Sequence, residues 1–293
     1  METTKIDVAY LKTIPLPDYA DDANKSDYGK LLLIAGSRRL PGAAILAARA
    51  ALRAGCGTVR AALPESIALA VGAAVPELMV LPLPETSAGT LAKSALQFLQ
   101  EQYELCDAVV IGPGLDDNEE TAQLCREIVG ACPLPMVVDA AALDAFDKKF
   151  DYPAPRILTP HSGEMNGISP KDAGGQVTLV SKGRETIISG EAVLLRNEAG
   201  TRGLGTAGSG DVLSGIIGGF LAQGIEPTIA AAWGVHLHAL AGEAAEKDLG
   251  DDGIMASDLI ARAPGVLRYL RRQVAPPQIK AEDRAGLRTG LRP

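Results

Sequence analysis

The stretch from Gly205 to Gly224, "GTAGSGDVLSGIIGGFLAQG", sets glycines on either side of Asp211 and then runs into an apolar segment. Glycines let backbone N–H groups approach an anion without Cβ obstruction, and a helix beginning there adds free amides and its positive dipole end. A phosphate fits such a loop. Asp211 then has two readings: it caps the helix or favours its dipole, or it faces a substrate. The helix start would be satisfied by Ser209 alone. Asp211 would then be free to take the proton from a hydroxyl that attacks phosphorus, while the loop amides stabilise the charge developing on the transferred group. No Gly-Lys-Ser/Thr follows the glycines, and "GSRRLPG" is not a G-x-G-x-x-G fingerprint. Both common nucleotide loops therefore lose ground.

The elements that must hold this loop are legible in the hydrophobic pattern. Short β-type runs recur at Leu31 to Gly36, Thr58 to Leu63, Ala108 to Gly114, Met136 to Ala140, Arg156 to Pro160 and Val177 to Gly183. Ala/Leu-rich stretches of helical spacing lie between them, such as Gly42 to Gly55 and Thr90 to Leu105. Nearly continuous apolar strands followed by helices predict a parallel, doubly wound α/β sheet covered on both faces. After Lys182, "ETIISGEAVLLRN" reads as an antiparallel hairpin at one edge, and helices are expected at Ser209 to Gln223, Pro227 to Lys247 and Ala256 to Arg272. Ligands of such sheets bind beyond the carboxyl ends of the strands, where "GSRRLPGAA", "GPGL", "DAAAL", "PHSGE" and "KGRET" stand.

Composition bounds the rest. The 293 residues are 47% hydrophobic and show no composition break, so one domain is expected over 1–272, with a polar tail over 273–293 expected to be disordered. With 28 basic against 36 acidic residues, a nucleic-acid surface is not expected, and local geometry must hold any anionic ligand. Cys56, Cys106, Cys125 and Cys132 lack C-x-x-C spacing and read as buried thiols of a reducing compartment. No signal-type segment or membrane span is seen, so a cytoplasmic, soluble protein is expected.

Over Asn24 to Arg272 the chain resembles the ADP/ATP-dependent NAD(P)H-hydrate dehydratase family of the ribokinase-like superfamily. The resemblance is carried in order by "NKSDYGKLLLIAGS", "LPGAAILAARAALRAGCGTV", "VVIGPGL", "VVDAAAL", "ILTPHSGE", "SKGRETII", the glycine loop and "GVHLHALAGE". It implies repair of hydrated NADH or NADPH: ADP or ATP phosphorylates the hydroxyl of the hydrated ring, phosphate leaves and the double bond returns. It makes Asp211 the base and a substrate contact, with Ala43, Gly114 and His161 lining the substrate pocket. Lys182, Gly183, Arg184, Glu185, Thr186 and Gly210 fall on the nucleotide side. Asp139 and Glu164 are candidate supports for Mg²⁺ through water. His236 and His238, on an apolar helical stretch, read as packed residues. A separate chain is expected to supply the companion epimerase, and a homo-oligomer, a tetramer by the family's habit, is implied.

Two departures stand against the pattern. Ala141 replaces an aspartate of the usual Asp-Ala-Asp-Ala-Leu run. Between the "ILTP" and "VTLV" runs only "HSGEMNGISPKDAGGQ" remains, enough for a parallel crossover of roughly a dozen or more residues but nearly stripped of the covering helix that the resembled family carries in a much longer connection. A neighbouring subunit touching Met165 to Gln176 is therefore expected to cover the exposed sheet face. A ribokinase-like kinase of a small vitamin-precursor alcohol and a nucleotide-binding relative without catalysis are the alternative readings.

Overall fold

The computed structural model describes residues 3–19, 22–165 and 167–274. The predicted tail, 273–293, lies outside the described residues except for its first two positions, which continue the last helix. Ten strands form one sheet: β1 (Thr4–Lys5), β2 (Lys30–Ile34), β3 (Thr58–Pro64), β4 (Met79–Leu83), β5 (Ala108–Ile111), β6 (Met136–Val138), β7 (Arg156–Leu158), β8 (Val177–Ser181), β9 (Thr186–Ser189) and β10 (Leu194–Asn197). Their order is β1-β10-β9-β8-β7-β6-β5-β2-β3-β4. Seven neighbouring pairs are parallel, and only β9 runs antiparallel to its two neighbours. The predicted hairpin is β9–β10, and it is not the outermost edge. β1 adds two residues beside β10, too short a run to register as a strand in the sequence.

Alternation along the central strands divides the core. Leu31 and Leu33 face one layer, built on α2 (Pro41–Arg53), α3 (Glu65–Ala74), α6 (Ser209–Ala222), α7 (Pro227–Leu249) and α8 (Ala256–Val274). A short helix near the N-terminus, α1 (Val8–Thr13), packs on the same side through Leu11. Leu32 and Ile34 face the other layer, with α4 (Leu96–Gln102) and α5 (Glu119–Ala131). Helices on both faces explain why these strands are apolar at consecutive positions rather than at every second one. All four cysteines are buried and free, as their apolar settings implied.

The seam between α2 and α6 sets the position of the glycine loop. α2 presents Ala44, Ala47, Ala48 and Ala51, spaced three and four apart and fully buried. α6 answers with Gly215 and Gly219, where a Cβ would lie 2.2 Å from the Ala47 carbonyl oxygen and 2.7 Å from that of Ala51. Small residues on both helices bring the backbones into direct contact. The N-terminus of α6 is thereby fixed against the N-terminal half of α2.

The β7–β8 connection is spare, holding among its described residues only two short 3₁₀ turns, Ser162–Glu164 and Pro170–Asp172. It nevertheless covers its own face of the sheet. Ile168 is 6% exposed within the second core layer, and Met165 and Ala173 pack against it half-buried. The expected gap is absent because three apolar residues of the loop fill the place of a helix. An uncovered face therefore gives no argument for a neighbouring subunit at Met165 and Ile168.

The seam yields a test. Gly215→Ala drives a methyl group into the Ala47 backbone, and overpacking of this kind costs about 1–3 kcal/mol. The thermal midpoint should fall by several degrees, whereas Gly265→Ala on α8, where a Cβ meets nothing within 4 Å, should leave it unchanged or slightly higher.

Candidate active site

The carboxyl ends of β2, β5, β6, β7 and β8 and the N-terminus of α6 converge on one rim of the sheet. At the β2 and β5 ends the chain turns back on itself: Gly36 donates its N–H to the Pro113 carbonyl at 2.8 Å. Gly114, at φ +68°, packs so closely that a Cβ would lie 2.6 Å from the Ala43 Cβ and 2.7 Å from the Leu40 oxygen. Ala43 and Gly114, expected to share a pocket wall, are thus in contact. Only small residues leave the backbone this accessible.

Asp139 directly follows β6 and is 2% exposed. Its Oδ1 accepts from Thr159 Oγ1 at 2.7 Å and from Lys182 Nζ at 2.9 Å, and its Oδ2 accepts from Ser214 Oγ. These partners come from the ends of β7 and β8 and from the second turn of α6, so one carboxylate ties four elements together. The next residue, Ala140, has φ +48°, the only non-glycine positive φ among the described residues. Such strain persists where surrounding contacts over-determine it. Ala141, the site of the missing acidic group, is exposed and takes no part in this cluster.

Lys182 reaches a second acid, with Nζ 3.9 Å from Glu164 Oε2. Glu164 in turn accepts from the His161 backbone N–H at 2.9 Å, and its Oε1 stands 3.4 Å from His161 Nε2. His161 pairs with Lys182 through an isolated parallel bridge, with the Lys182 N–H donating to Pro160 O. The expected division into a substrate side at His161 and a nucleotide side at Lys182 is therefore a division between adjacent residues. Gly183, Arg184 and Glu185 form the exposed turn that follows, and Thr186 opens β9.

The loop before α6 differs from its expected geometry at one point. Ser209 is not the cap: Gly208 is, at φ +84°, with no side-chain capping bond. The left-handed turn falls on Gly208, where a Cβ would meet Leu46 Cδ1 at 2.5 Å. Gly210 has ordinary helical backbone, and a Cβ there would sit 3.4 Å from Lys182 Nζ. Asp211 lies in the first turn, and among the described residues no hydrogen bond reaches its carboxylate. Capping is therefore not its task. Burial first, and then the charge of Asp139, raise its pKa from 3.8 to about 6, with Lys182 partly offsetting both.

From behind, α7 grips the loop. His236 Nδ1 lies 2.8 Å from Asn197 Oδ1, the Gly200 N–H donates to Glu243 at 2.8 Å, Thr201 donates to Glu246, and His238 Nε2 lies 3.0 Å from Ser209 Oγ. Sequence reasoning did not single out Thr159 or Ser214, whereas both histidines are packed and hydrogen-bonded as expected. The signal for Ser214 was polarity inside an otherwise apolar helical run, which marks a buried partner as readily as a packed residue.

Direct coordination of Mg²⁺ does not fit Asp139, whose two oxygens are already bonded, and among the described residues no group of three metal-binding side chains converges. No described helix is long and apolar enough to cross a membrane.

A family model described as NAD(P)H-hydrate dehydratase matches residues 31–264. The ADP-dependent (S)-NAD(P)H-hydrate dehydratase of Xanthomonas campestris is 35% identical over 284 residues, covering 91% of this chain and 97% of that protein. The bifunctional NAD(P)H-hydrate repair enzyme Nnr of Moorella thermoacetica is 39% identical over 281 residues, and the match spans 88% of this chain but 53% of that longer protein. Among solved structures, the ADP/ATP-dependent NAD(P)H-hydrate dehydratase of Bacillus subtilis co-crystallized with ATP/Mg²⁺ superposes with a TM-score of 0.76 at 25% identity, covering 92% of this chain and 99% of that one. By the match to the family model and by its likeness to the Xanthomonas protein over nearly the whole length of both, the chain belongs to the NAD(P)H-hydrate dehydratase family.

Proposed function

We propose that the protein dehydrates hydrated NADH or NADPH in two steps, with ADP or ATP as phosphoryl donor. In the first, the hydroxyl oxygen of the hydrated ring bonds to the terminal phosphorus as the bond to the departing AMP or ADP breaks, and Asp211 accepts the hydroxyl proton. In the second, the ring carbon–oxygen bond breaks with its electron pair leaving on phosphate. A proton is then lost from the neighbouring carbon and the double bond re-forms. Water leaves the substrate in the sum, as inorganic phosphate from the donor.

The observation that carries this reading is the half-buried carboxylate of Asp211, free of protein donors among the described residues, at a helix N-terminus and raised toward neutrality. A base poised near the working pH is what proton abstraction needs. The free amides of α6 and the Lys182 ammonium supply positive potential for the transferred group. Ala43 and Gly114 leave room for the ring, with His161 at the rim. A magnesium ion would arrive on the nucleotide phosphates and lessen their charge. The Asp139 cluster is complete without an acid at position 141, which supports a working enzyme rather than a lapsed one.

The direct test incubates the protein with hydrated NADH and ADP or ATP. Absorbance of the reduced nicotinamide should recover, with one AMP or ADP formed per molecule repaired; absence of recovery with either donor overturns the reading.

Asp211→Asn should lower turnover by roughly 10²–10⁴-fold while nucleotide affinity stays within about tenfold, as followed by calorimetry. In the wild type, kcat/KM should fall as pH drops below about 6, because the base becomes protonated. A rate flat from pH 8 to 5 would remove Asp211 from that role.

Two neighbouring glycines should separate fold from function. Gly210→Ala places a methyl group beside Lys182 Nζ without backbone strain, so nucleotide affinity and turnover should drop while the thermal midpoint holds. Gly208→Ala forces a left-handed alanine against Leu46, at about 1–3 kcal/mol, and should lower stability and activity together.

A further inference from the structure

The β2–α2 loop carries two adjacent arginines, Arg38 and Arg39, that the proposed chemistry leaves unused. This loop makes one side of the pocket wall. A Cβ on Gly114 would lie 3.3 Å from Gly36 Cα, 2.7 Å from the Leu40 oxygen and 2.6 Å from the Ala43 Cβ, so the loop presses on Gly114 along its whole length. Arg38 stands between the first two of these contacts. It is tied to the segment that follows β4, where Glu85 and Leu91 form an isolated antiparallel bridge. The Arg38 backbone N–H donates to the Gly89 oxygen at 2.7 Å, and Arg38 Nη2 donates to Glu85 Oε1 at 2.6 Å. Its side chain lies across Gly89, where a Cβ would come within 2.6 Å of Arg38 Cβ and 2.8 Å of its Nε.

The segment that Arg38 grips is itself anchored. Thr90 and Leu91 are fully buried, the Thr86 N–H donates to the Thr90 oxygen at 2.8 Å, and Thr121 on α5 donates to the Leu91 oxygen at 2.8 Å. Glu85 Oε2 also accepts from the Ser66 N–H at the start of α3, at 3.0 Å. Thr90 Oγ1 in turn accepts from the Asp116 N–H at 3.4 Å, two residues beyond Gly114. One fixed segment thus touches the loops on both sides of the wall. Arg39 is placed differently: its side chain is 77% exposed and reaches Asp116 at 3.3 Å, a solvent-screened pair.

We propose that Arg38 is a positioning residue for the hydrated nicotinamide ring. By clasping the Glu85–Leu91 segment it fixes the β2–α2 loop against Gly114, and with it the wall that receives the ring. This rests on the reading of Ala43 and Gly114 as that wall. Arg38 acts through the loop backbone, and Lys182 on the nucleotide side is held separately by Asp139. A guanidinium suits the task because it spans two acceptors, Glu85 and the Ser87 oxygen at 3.4 Å, where an ammonium is a point charge. A small misplacement of a bound reactant lowers the rate even when the change lies away from the reacting atoms.

Recovery of reduced nicotinamide is measured with hydrated NADH varied at saturating ADP and then with ADP varied. The wild type is compared with Arg38→Ala, Arg38→Lys, Arg39→Ala and the Arg38→Ala/Glu85→Ala double variant, with the thermal midpoint alongside. Arg38→Ala should lower kcat/KM for hydrated NADH roughly five- to twentyfold, short of the about hundredfold that a misplacement of about 1 Å can cost. KM for ADP should stay within about twofold. The thermal midpoint should fall by no more than about 3 °C, because the Arg38 side chain is half-exposed. Arg38→Lys should regain part of the loss, and the double variant should lose at most about twofold more than Arg38→Ala, since both changes open one clasp. Arg39→Ala removes the same charge from the same rim and should stay within about twofold of the wild type. Undiminished kcat/KM in Arg38→Ala overturns the proposal. So does a parallel rise in KM for ADP, which marks general loosening, or an equal loss in Arg39→Ala, which marks attraction by charge alone. A wild type without turnover is a separate outcome, and it overturns the functional reading together with this inference.

Discussion

The site depends on one buried ion pair, Asp139 with Lys182. An ionised carboxylate taken out of water is strongly unfavourable unless charge and hydrogen bonds replace the lost hydration. Asp139 meets that demand with donors from three other elements: Thr159 after β7, Lys182 after β8 and Ser214 on α6. Satisfying the charge therefore brings three strand ends and a helix to one point. The positive φ of Ala140 is tolerated there because so many contacts agree on where Asp139 must be. The Ala–Gly seam of α2 and α6 supports the same result from the opposite side of α6.

What this cluster produces is an electrostatic setting for Asp211. Half-buried and facing a second carboxylate, Asp211 holds its proton up to about pH 6, above the ordinary value of 3.8. A carboxyl raised in the fold binds protons more tightly folded than unfolded. Its contribution to stability is thus fully present below about pH 4 and is lost as pH rises through about 6. At neutral pH the fold carries an ionised acid that it would be more stable without. Lys182 limits that penalty and, beside Gly210, stands where a phosphate would share it. Stability given up at such a position is what a poised base requires.

The strands and helices that flank the site were readable because burial on both faces leaves consecutive apolar residues, and because Ala44, Ala47, Ala48 and Ala51 repeat at helical spacing. β1 and β4 were not readable. One has two residues, and the other, "MVLPL", carries Pro82 on an edge strand, where a missing ladder donor is tolerated. Asp211, Gly210, Ala43, Gly114 and Lys182 could be singled out from loop composition and family resemblance, since their types follow from close backbone approach and charge. The roles of Ser209 and Ser214 could not. Each is defined by a partner 29 or 75 residues distant, and a serine before an apolar run reads as a cap until the glycine beside it is seen to take the turn. Likewise, Ile168 covering the sheet from within a loop has no periodicity to announce it.

Burial, with the charge of Asp139 beside it, makes Asp211 a base poised near neutrality. Carboxyl ¹³C NMR of aspartate-labelled protein, with Asp211 assigned from the Asp211→Asn spectrum, measures this directly. A titration midpoint close to 6 is expected, shifted downward in Asp139→Asn when that variant retains the fold. A midpoint near 4 in the wild type, or one that Asp139→Asn leaves in place, would contradict it.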